Sequence, residues 1–260
     1  VPAPPTELVL LHGFTNTGAS WDAVVAGLPQ TYRPHAPDLR GHGSASGARP
    51  VDLDTVVAEI DALAPERFTL VGYSQGGRIA LHAALGLPGR IRRLILIGAS
   101  PGIADPQARA ERRRADETLA AWTESVTIEQ FVERWAQTGV LADQPPAVRA
   151  AVTAERLRNT PDGLAAALRG LGTGTLPSLW DQLGELVIPV ELIVGERDGK
   201  FRATAERMAA ALPDARLHVV PGAGHAVHLE DPWAVAALIV ATDTPDAPDA
   251  PDPPASDQSS

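Results

Sequence analysis

The segment Phe68-Thr69-Leu70-Val71-Gly72-Tyr73-Ser74-Gln75-Gly76 constrains this chain more than any other. An apolar run of strand character ends in a tight turn with a glycine two residues to either side of a serine, and a helical pattern from Arg78 to Leu85 follows. A strand feeding a helix through so short a turn strains the serine backbone and brings the two elements almost into contact. Small residues are needed on both sides. This is the arrangement of a nucleophile elbow, which exposes a serine hydroxyl at the end of a sheet. The segment predicts an α/β fold and nominates Ser74 as the reactive group.

Strand and helix signals alternate on both sides of it. Leu8 to Leu11 reads as a buried strand, with a helix beginning near Ser20, whose hydroxyl can cap it. A strand near Arg33 to Ala36, a helix over Val51 to Leu63 and a strand over Leu94 to Ile97 complete a first part of the core, residues 1–100. Strand signals stop between Pro101 and Leu183, where four helical patterns are separated by Pro and Gly. They resume at Val190 to Val194 and Leu217 to Val220, with helices over Arg202 to Leu212 and Trp233 to Val240. The expected fold is a mostly parallel sheet with helices on both faces, its second part over residues 184–240. Residues 101–183 are expected to form a helical cap over the active-site end. The front of the chain is short, so no extra N-terminal hairpin is expected.

The charge carries less information than its value suggests. The 260 residues have a formal net charge of −10, which argues against nucleic acid as a partner. About half of it comes from Asp243, Asp246, Asp249, Asp252 and Asp257 in a Pro- and Asp-rich end. Residues 241–260 are therefore expected to be a disordered tail whose removal after Val240 leaves stability unchanged. The chain has no cysteine, which excludes thiolate catalysis and disulfides and agrees with a cytoplasmic protein. No membrane-spanning apolar stretch is expected, and the oligomeric state stays open between a monomer and a weak homo-oligomer.

A serine nucleophile needs a base, and the base needs an acceptor for its other ring nitrogen. His225, in Pro221-Gly222-Ala223-Gly224-His225 beyond the last strand, is the expected base; His228 is its rival and reads as a wall residue. Asp198 follows the strand Val190 to Val194 at the same end of the sheet and is preferred over Glu196 as the orienting acid. An anionic intermediate needs preorganised donors, supplied here by the backbone N–H groups of Phe14 and Gln75. His12 and His42 are expected to be structural. Arg78 sits at a helix N-terminus, where a cation opposes the helix dipole, so an acidic partner or an anionic ligand is expected beside it. The run Arg109, Arg112, Arg113 and Arg114, with Arg156 and Arg158, reads either as a solvated face or as a set that clamps carboxylates. Tyr73, Trp135 and Trp180 read either as pocket walls or as plain packing.

These residues together resemble a particular family. The stretch Leu10-Leu11-His12-Gly13-Phe14, the elbow with Gly77-Arg78, and Glu111-Arg112-Arg113 with Asp116 are similar to the MenH type of the α/β-hydrolase superfamily. So are Phe131-Val132-Glu133-Arg134-Trp135, Arg156 to Asn159, Gly195-Glu196-Arg197-Asp198 with Lys200-Phe201, and Gly224-His225. The resemblance covers most of the chain before the tail, and the Tyr73/Arg78 pairing with an arginine-bearing cap is its most specific part. It implies a cofactor-independent lyase, 2-succinyl-6-hydroxy-2,4-cyclohexadiene-1-carboxylate synthase, which eliminates pyruvate in menaquinone biosynthesis from a small polycarboxylate substrate. Ser74, activated by His225 and Asp198, would take a ring proton. Arg78, a cap arginine (Arg112 or Arg113) and Arg158 would hold carboxylates, with Tyr73 and Trp135 nearby. The short front and the acidic tail depart from the family pattern. The alternative is a carboxylic-ester or related acyl hydrolase using the same triad through an acyl-enzyme.

Overall fold

The computed structural model describes residues 4–64, 66–137 and 145–243. Among them, β1 (Thr6–Leu11), β2 (Tyr32–His35), β3 (Phe68–Tyr73), β4 (Ile91–Ile97), β5 (Val190–Gly195) and β6 (Ala215–Val220) form one sheet. Its order is β2-β1-β3-β4-β5-β6, and every neighbouring pair is parallel. The helices α1 (Asp22–Ala26), α2 (Leu53–Leu63), α3 (Gln75–Gly86), α8 (Gly199–Ala211), α9 (Val227–Glu230) and α10 (Pro232–Ala241) lie among these strands in sequence. Between β4 and β5 come α4 (Pro106–Glu124), α5 (Ile128–Trp135), α6 (Pro146–Arg156) and α7 (Pro161–Leu171).

Strands buried on both faces read as continuous apolar runs, and their alternate residues serve opposite cores. Val9, Leu11, Leu70 and Leu96 pack with Ile60 of α2, Ile79 of α3 and Met208 of α8. Leu8, Leu10, Val71 and Ile95 pack on the other side with Trp21, Val24 of α1 and Val235 and Ile239 of α10. The expected α/β-hydrolase-type sheet, covered on both faces, is what forms.

The topology decides where chemistry can occur. From β1 the chain moves outward to β2, then crosses back to place β3 on the other side of β1. The crevice beyond the carboxyl ends of β1 and β3 is a topological switch point, where open α/β sheets bind ligands. Phe14 leaves β1 into this crevice and Ser74 leaves β3.

Helices α4, α5 and α7 start on side-chain caps. Asp105 accepts the Ala108 N–H at 2.7 Å, Thr127 and Gln130 form a reciprocal capping box, and Thr160 accepts the Gly163 N–H at 3.1 Å. The four helices stand against the loops at the carboxyl edge of the sheet. Phe14 packs on Phe131 and Trp135 of α5, Gln75 Nε2 donates to Leu171 O of α7, and Asn159 accepts the Gly43 N–H.

Two local expectations are corrected. Ser20 does not cap a helix: its hydroxyl donates to Thr17 O at 2.8 Å inside a 3-10 turn, and α1 begins only at Asp22 without a side-chain cap. The chain also remains anchored beyond Val240. Helix α10 runs to Ala241, Arg93 donates to Ile239 O and Thr242 Oγ1, and Asp243 accepts Tyr32 Oη at 2.6 Å and pairs with Arg92. Residues 244–260 lie outside the described residues. Asp243→Ala strands a buried arginine and a buried phenol, and is expected to cost about 3 kcal/mol. Truncation after Val240 should cost at least as much, against the neutrality that composition suggests. Denaturant melts of the two variants beside the intact chain measure both. No helix among the described residues is long and apolar enough to cross a membrane.

Candidate active site

Ser74 holds φ 51° and ψ −107°, a left-handed backbone that a non-glycine residue avoids. The fold imposes it. Ser74 N–H donates to Ile97 O at 2.9 Å while Ser74 O accepts the Arg78 N–H at 3.1 Å, so both sides of the turn are fixed. The flanking glycines are required by contact: a Cβ on Gly72 would lie 2.5 Å from Gly76 O, and one on Gly76 would lie 2.4 Å from Leu11 O. Gly76→Ala is accordingly expected to destabilise the protein by about 3 kcal/mol, since backbone rather than a flexible side chain must yield. Thermal melting of the variant checks this.

Ser74, His225 and Asp198 meet at the carboxyl end of the sheet. His225 Nδ1–H donates to Asp198 Oδ2 at 2.6 Å, and Ser74 Oγ lies 3.3 Å from His225 Nε2. The nitrogen facing the serine is therefore an acceptor, ready to take its proton. Asp198 is held by its second oxygen, which accepts the Phe201 N–H at 3.2 Å and caps α8. The imidazole packs on Phe201 and Tyr73 with ring centroids 4.4 and 5.3 Å away. Glu196 turns elsewhere, to the Gly222 N–H. Glu230, which sequence reasoning missed, braces the loop carrying His225 by accepting the Gly224 N–H at 2.8 Å and pairing with Arg197 at 2.7 Å.

Among the described residues, the N–H groups of Phe14 and Gln75 have no acceptor in the protein. Gln75 opens α3, where the first amides of a helix are free and the dipole favours negative charge. Gly13 lets the Phe14 turn pass close to Tyr73, for a Cβ there would lie 2.6 Å from the tyrosine ring.

His12, His42 and His228 are buried in packed surroundings. His12 Nδ1–H donates to Gly13 O, and its Nε2 accepts the Leu39 N–H, both at 2.9 Å. His42 packs edge-on against His12 and Phe14, and His228 lies between Trp21 and Tyr73. Burial lowers the pKa of His12 to about 4 and those of His42 and His228 to about 3. An unfolded histidine titrates near 6.5. Below that value the unfolded chain binds more protons than the folded one, so stability falls as pH falls, by about 1.4 kcal/mol per histidine per pH unit. A melting series from about pH 7 to about pH 5 is expected to show a steep drop in midpoint, and His228→Phe should lessen the slope.

Arg78 is 7% exposed, its Nε is buried without a partner, and no ion pair reaches it among the described residues. Burial lowers its pKa to about 10, and Arg112 beside it acts in the same direction against Asp116. It stays charged at neutral pH, with Asp116 in electrostatic reach but not in an ion pair with it among the described residues. Arg112 itself pairs with Asp116 at 2.7 Å. Arg113, one residue round the helix, is exposed and lines a surface groove with Arg114, Glu117 and Arg169.

The Arg158 expectation is corrected. Helix α6 ends at Arg156, and Arg158 beyond its C-cap is exposed. Arg156 is the inward residue: it is 2% exposed, donates from Nε to Thr15 Oγ1 at 3.1 Å and lies within electrostatic reach of Tyr73. The helical spacing that puts Val152, Glu155, Arg156 and Asn159 on one face was the signal that could have found it. Trp135 stacks on Phe131 and meets Phe14 edge-on, so the three rings form one aromatic cluster. Trp180 lies away from this cluster, donating to Gly102 O under Arg207.

A serine on a strained elbow, relayed through histidine to an acid at the end of a parallel sheet, defines an enzyme of the α/β-hydrolase fold. Residues 8–238 match the Alpha/beta hydrolase family. The chain is 38% identical over 243 residues to the 2-succinyl-6-hydroxy-2,4-cyclohexadiene-1-carboxylate synthase of Salmonella typhimurium, covering 90% of this chain and 92% of that one. It superposes on the structure of MenH from S. aureus with a TM-score of 0.87 at 30% identity, covering 92% and 94% of the two chains. A thermophilic esterase from Thermogutta terrifontis, in a malate-bound structure, matches with a TM-score of 0.72 at 25% identity, over 92% and 89%. The chain belongs to the α/β-hydrolase family and, within it, to the MenH-type synthases.

Proposed function

We propose that this enzyme eliminates pyruvate from 2-succinyl-5-enolpyruvyl-6-hydroxy-3-cyclohexene-1-carboxylate, giving 2-succinyl-6-hydroxy-2,4-cyclohexadiene-1-carboxylate in menaquinone biosynthesis. The observation that carries the reading is the pair of buried cations, Arg78 four residues after Ser74 on α3 and Arg156 within electrostatic reach of Tyr73, neither of them in an ion pair among the described residues. A neutral ester gives a site no reason to bear their desolvation cost. A polycarboxylate does.

In this reading His225 draws the proton from Ser74 Oγ, and the alkoxide removes the ring proton next to the succinyl ketone. The electron pair moves into the ketone, whose developing oxyanion is held by the Phe14 and Gln75 N–H groups. It then returns through the ring to expel the enolpyruvyl oxygen, and pyruvate leaves. Ser74 keeps the ring proton, and the proton held on His225 goes to the methylene carbon of the departing enolpyruvate, which gives pyruvate and restores the neutral imidazole. Arg78, Arg112 and Arg156 bind carboxylates, Tyr73 and Trp135 wall the pocket, and residues 101–183 close over it as a cap. No cofactor enters any step, and the setting is cytoplasmic.

The test is a direct assay of pyruvate release from this substrate beside a panel of short acyl esters. Elimination with feeble ester hydrolysis supports the reading. Efficient ester turnover without pyruvate release would replace it with the acyl-hydrolase alternative.

A further inference from the structure

The turn that presents the Phe14 N–H is itself strained. Thr15 has φ +72°, in the left-handed region that a β-branched residue avoids. Such a conformation persists only where its surroundings over-determine it. Inside the turn, Asn16 N–H donates to Gly13 O at 3.1 Å. His12 and Ser20 hold its two ends through Gly13 O and Thr17 O, and further restraints come from the end of α6, more than 130 residues along the chain.

Asn159 Nδ2 donates to Thr15 O at 2.9 Å, and its Oδ1 accepts the Gly43 N–H at 2.9 Å. Glu155 Oε1 accepts the Thr17 N–H and, at 3.1 Å, the Thr17 hydroxyl; its Oε2 accepts Asn16 Nδ2 at 3.3 Å. Glu155, Asn159 and Thr15 to Thr17 are all buried. Burial pushes the Glu155 carboxyl up despite these donors, so the acid is kept there at a cost. Charge-assisted bonds are about twice as strong as neutral ones, which suits a carboxylate to holding a backbone out of its preferred region.

We propose that Glu155 and Asn159 are positioning residues for the oxyanion hole. They clasp the turn of residues 13–17 from the cap, so that the Phe14 N–H is aimed only while α6 is seated. The inference rests on the proposed role of that N–H. Because an oxyanion donor acts mainly in the transition state, the clasp governs kcat rather than KM.

The test compares Glu155→Ala, Glu155→Gln, Asn159→Ala and, as a control, Glu206→Ala on the exposed face of α8, in the full chain. Pyruvate release, p-nitrophenyl acetate hydrolysis, thermal melting and hydrogen exchange of the peptide spanning residues 12–18 are measured. Glu155→Ala is expected to lower kcat on the order of 10²-fold on both substrates, with KM within about threefold, since that is what one lost donor costs. Glu155→Gln keeps an acceptor and should fall in between, and it remains informative if the alanine variant fails to fold. Glu206→Ala should match the wild type. Exchange in the turn should quicken in the clasp variants at temperatures where the fold is intact.

Retention of kcat within twofold in Glu155→Ala overturns the proposal, as does a rise in KM at constant kcat, or a loss that tracks the unfolded fraction. Unchanged exchange in the turn overturns it whatever the activity. A wild-type enzyme that hydrolyses the ester but releases no pyruvate refutes the synthase reading alone, and the ester assay and the exchange still judge the clasp.

Discussion

Ser74→Ala is expected to lower pyruvate release by roughly 10³–10⁴-fold, the span that a positioned proton-transfer group contributes. The melting midpoint should stay close to that of the wild type, because the elbow is fixed by the Ile97 and Arg78 backbone bonds and not by the hydroxyl. His225→Ala should fall by a similar factor, since Ser74 then has no acceptor for its proton. The two losses should not add, for the residues act as one unit. Asp198 differs because it has two attachments. Its replacement by Ala removes both the acceptor for His225 and the cap of α8, so activity falls and about 1 kcal/mol of stability goes with it. Steady-state rates with melting curves for the three variants decide the matter. Near-wild-type turnover in Ser74→Ala would end the relay reading for any substrate.

Arg78→Ala separates the two kinds of chemistry this relay can perform. With a carboxylate bound against the buried guanidinium, the variant should lose about 2–5 kcal/mol of transition-state binding in the pyruvate elimination. A short neutral ester has no carboxylate to hold, so its hydrolysis should change little. Stability should rise or stay level, because a buried cation without a partner is removed. Equal proportional losses on both substrates would show that Arg78 serves the scaffold, and the synthase reading would lose its principal support.

Some corrections have one common form. Arg156 and Arg158 are two residues apart in the same helical pattern, and composition gives no reason to choose between them. Where α6 stops decides the choice, and that depends on what the Glu155–Asn159 face meets. Arg112 and Arg113 are both exposed, and Arg112 differs in pairing with Asp116 and in lying near Arg78. The end of the chain repeats the lesson. Asp243 looks like the first unit of an acidic tail, yet Tyr32, Arg92 and Arg93 give it three partners that no local window contains.

The sequence by itself determined the sheet, the elbow and the identity of the relay. Each is written in short-range terms: apolar runs of strand length, glycines where backbones nearly touch, and a serine, an acid and a histidine each placed just after a strand. Because a parallel sheet delivers all its strand ends to one edge, residues so placed must converge there. What the tertiary structure alone decided was which arginines are buried, what anchors the chain beyond Val240 and what holds the turn of residues 13–17. Those outcomes depend on contacts between segments more than 100 residues apart. Burial is a property of the assembled surfaces, and no pattern along a single helix specifies the surface it will meet.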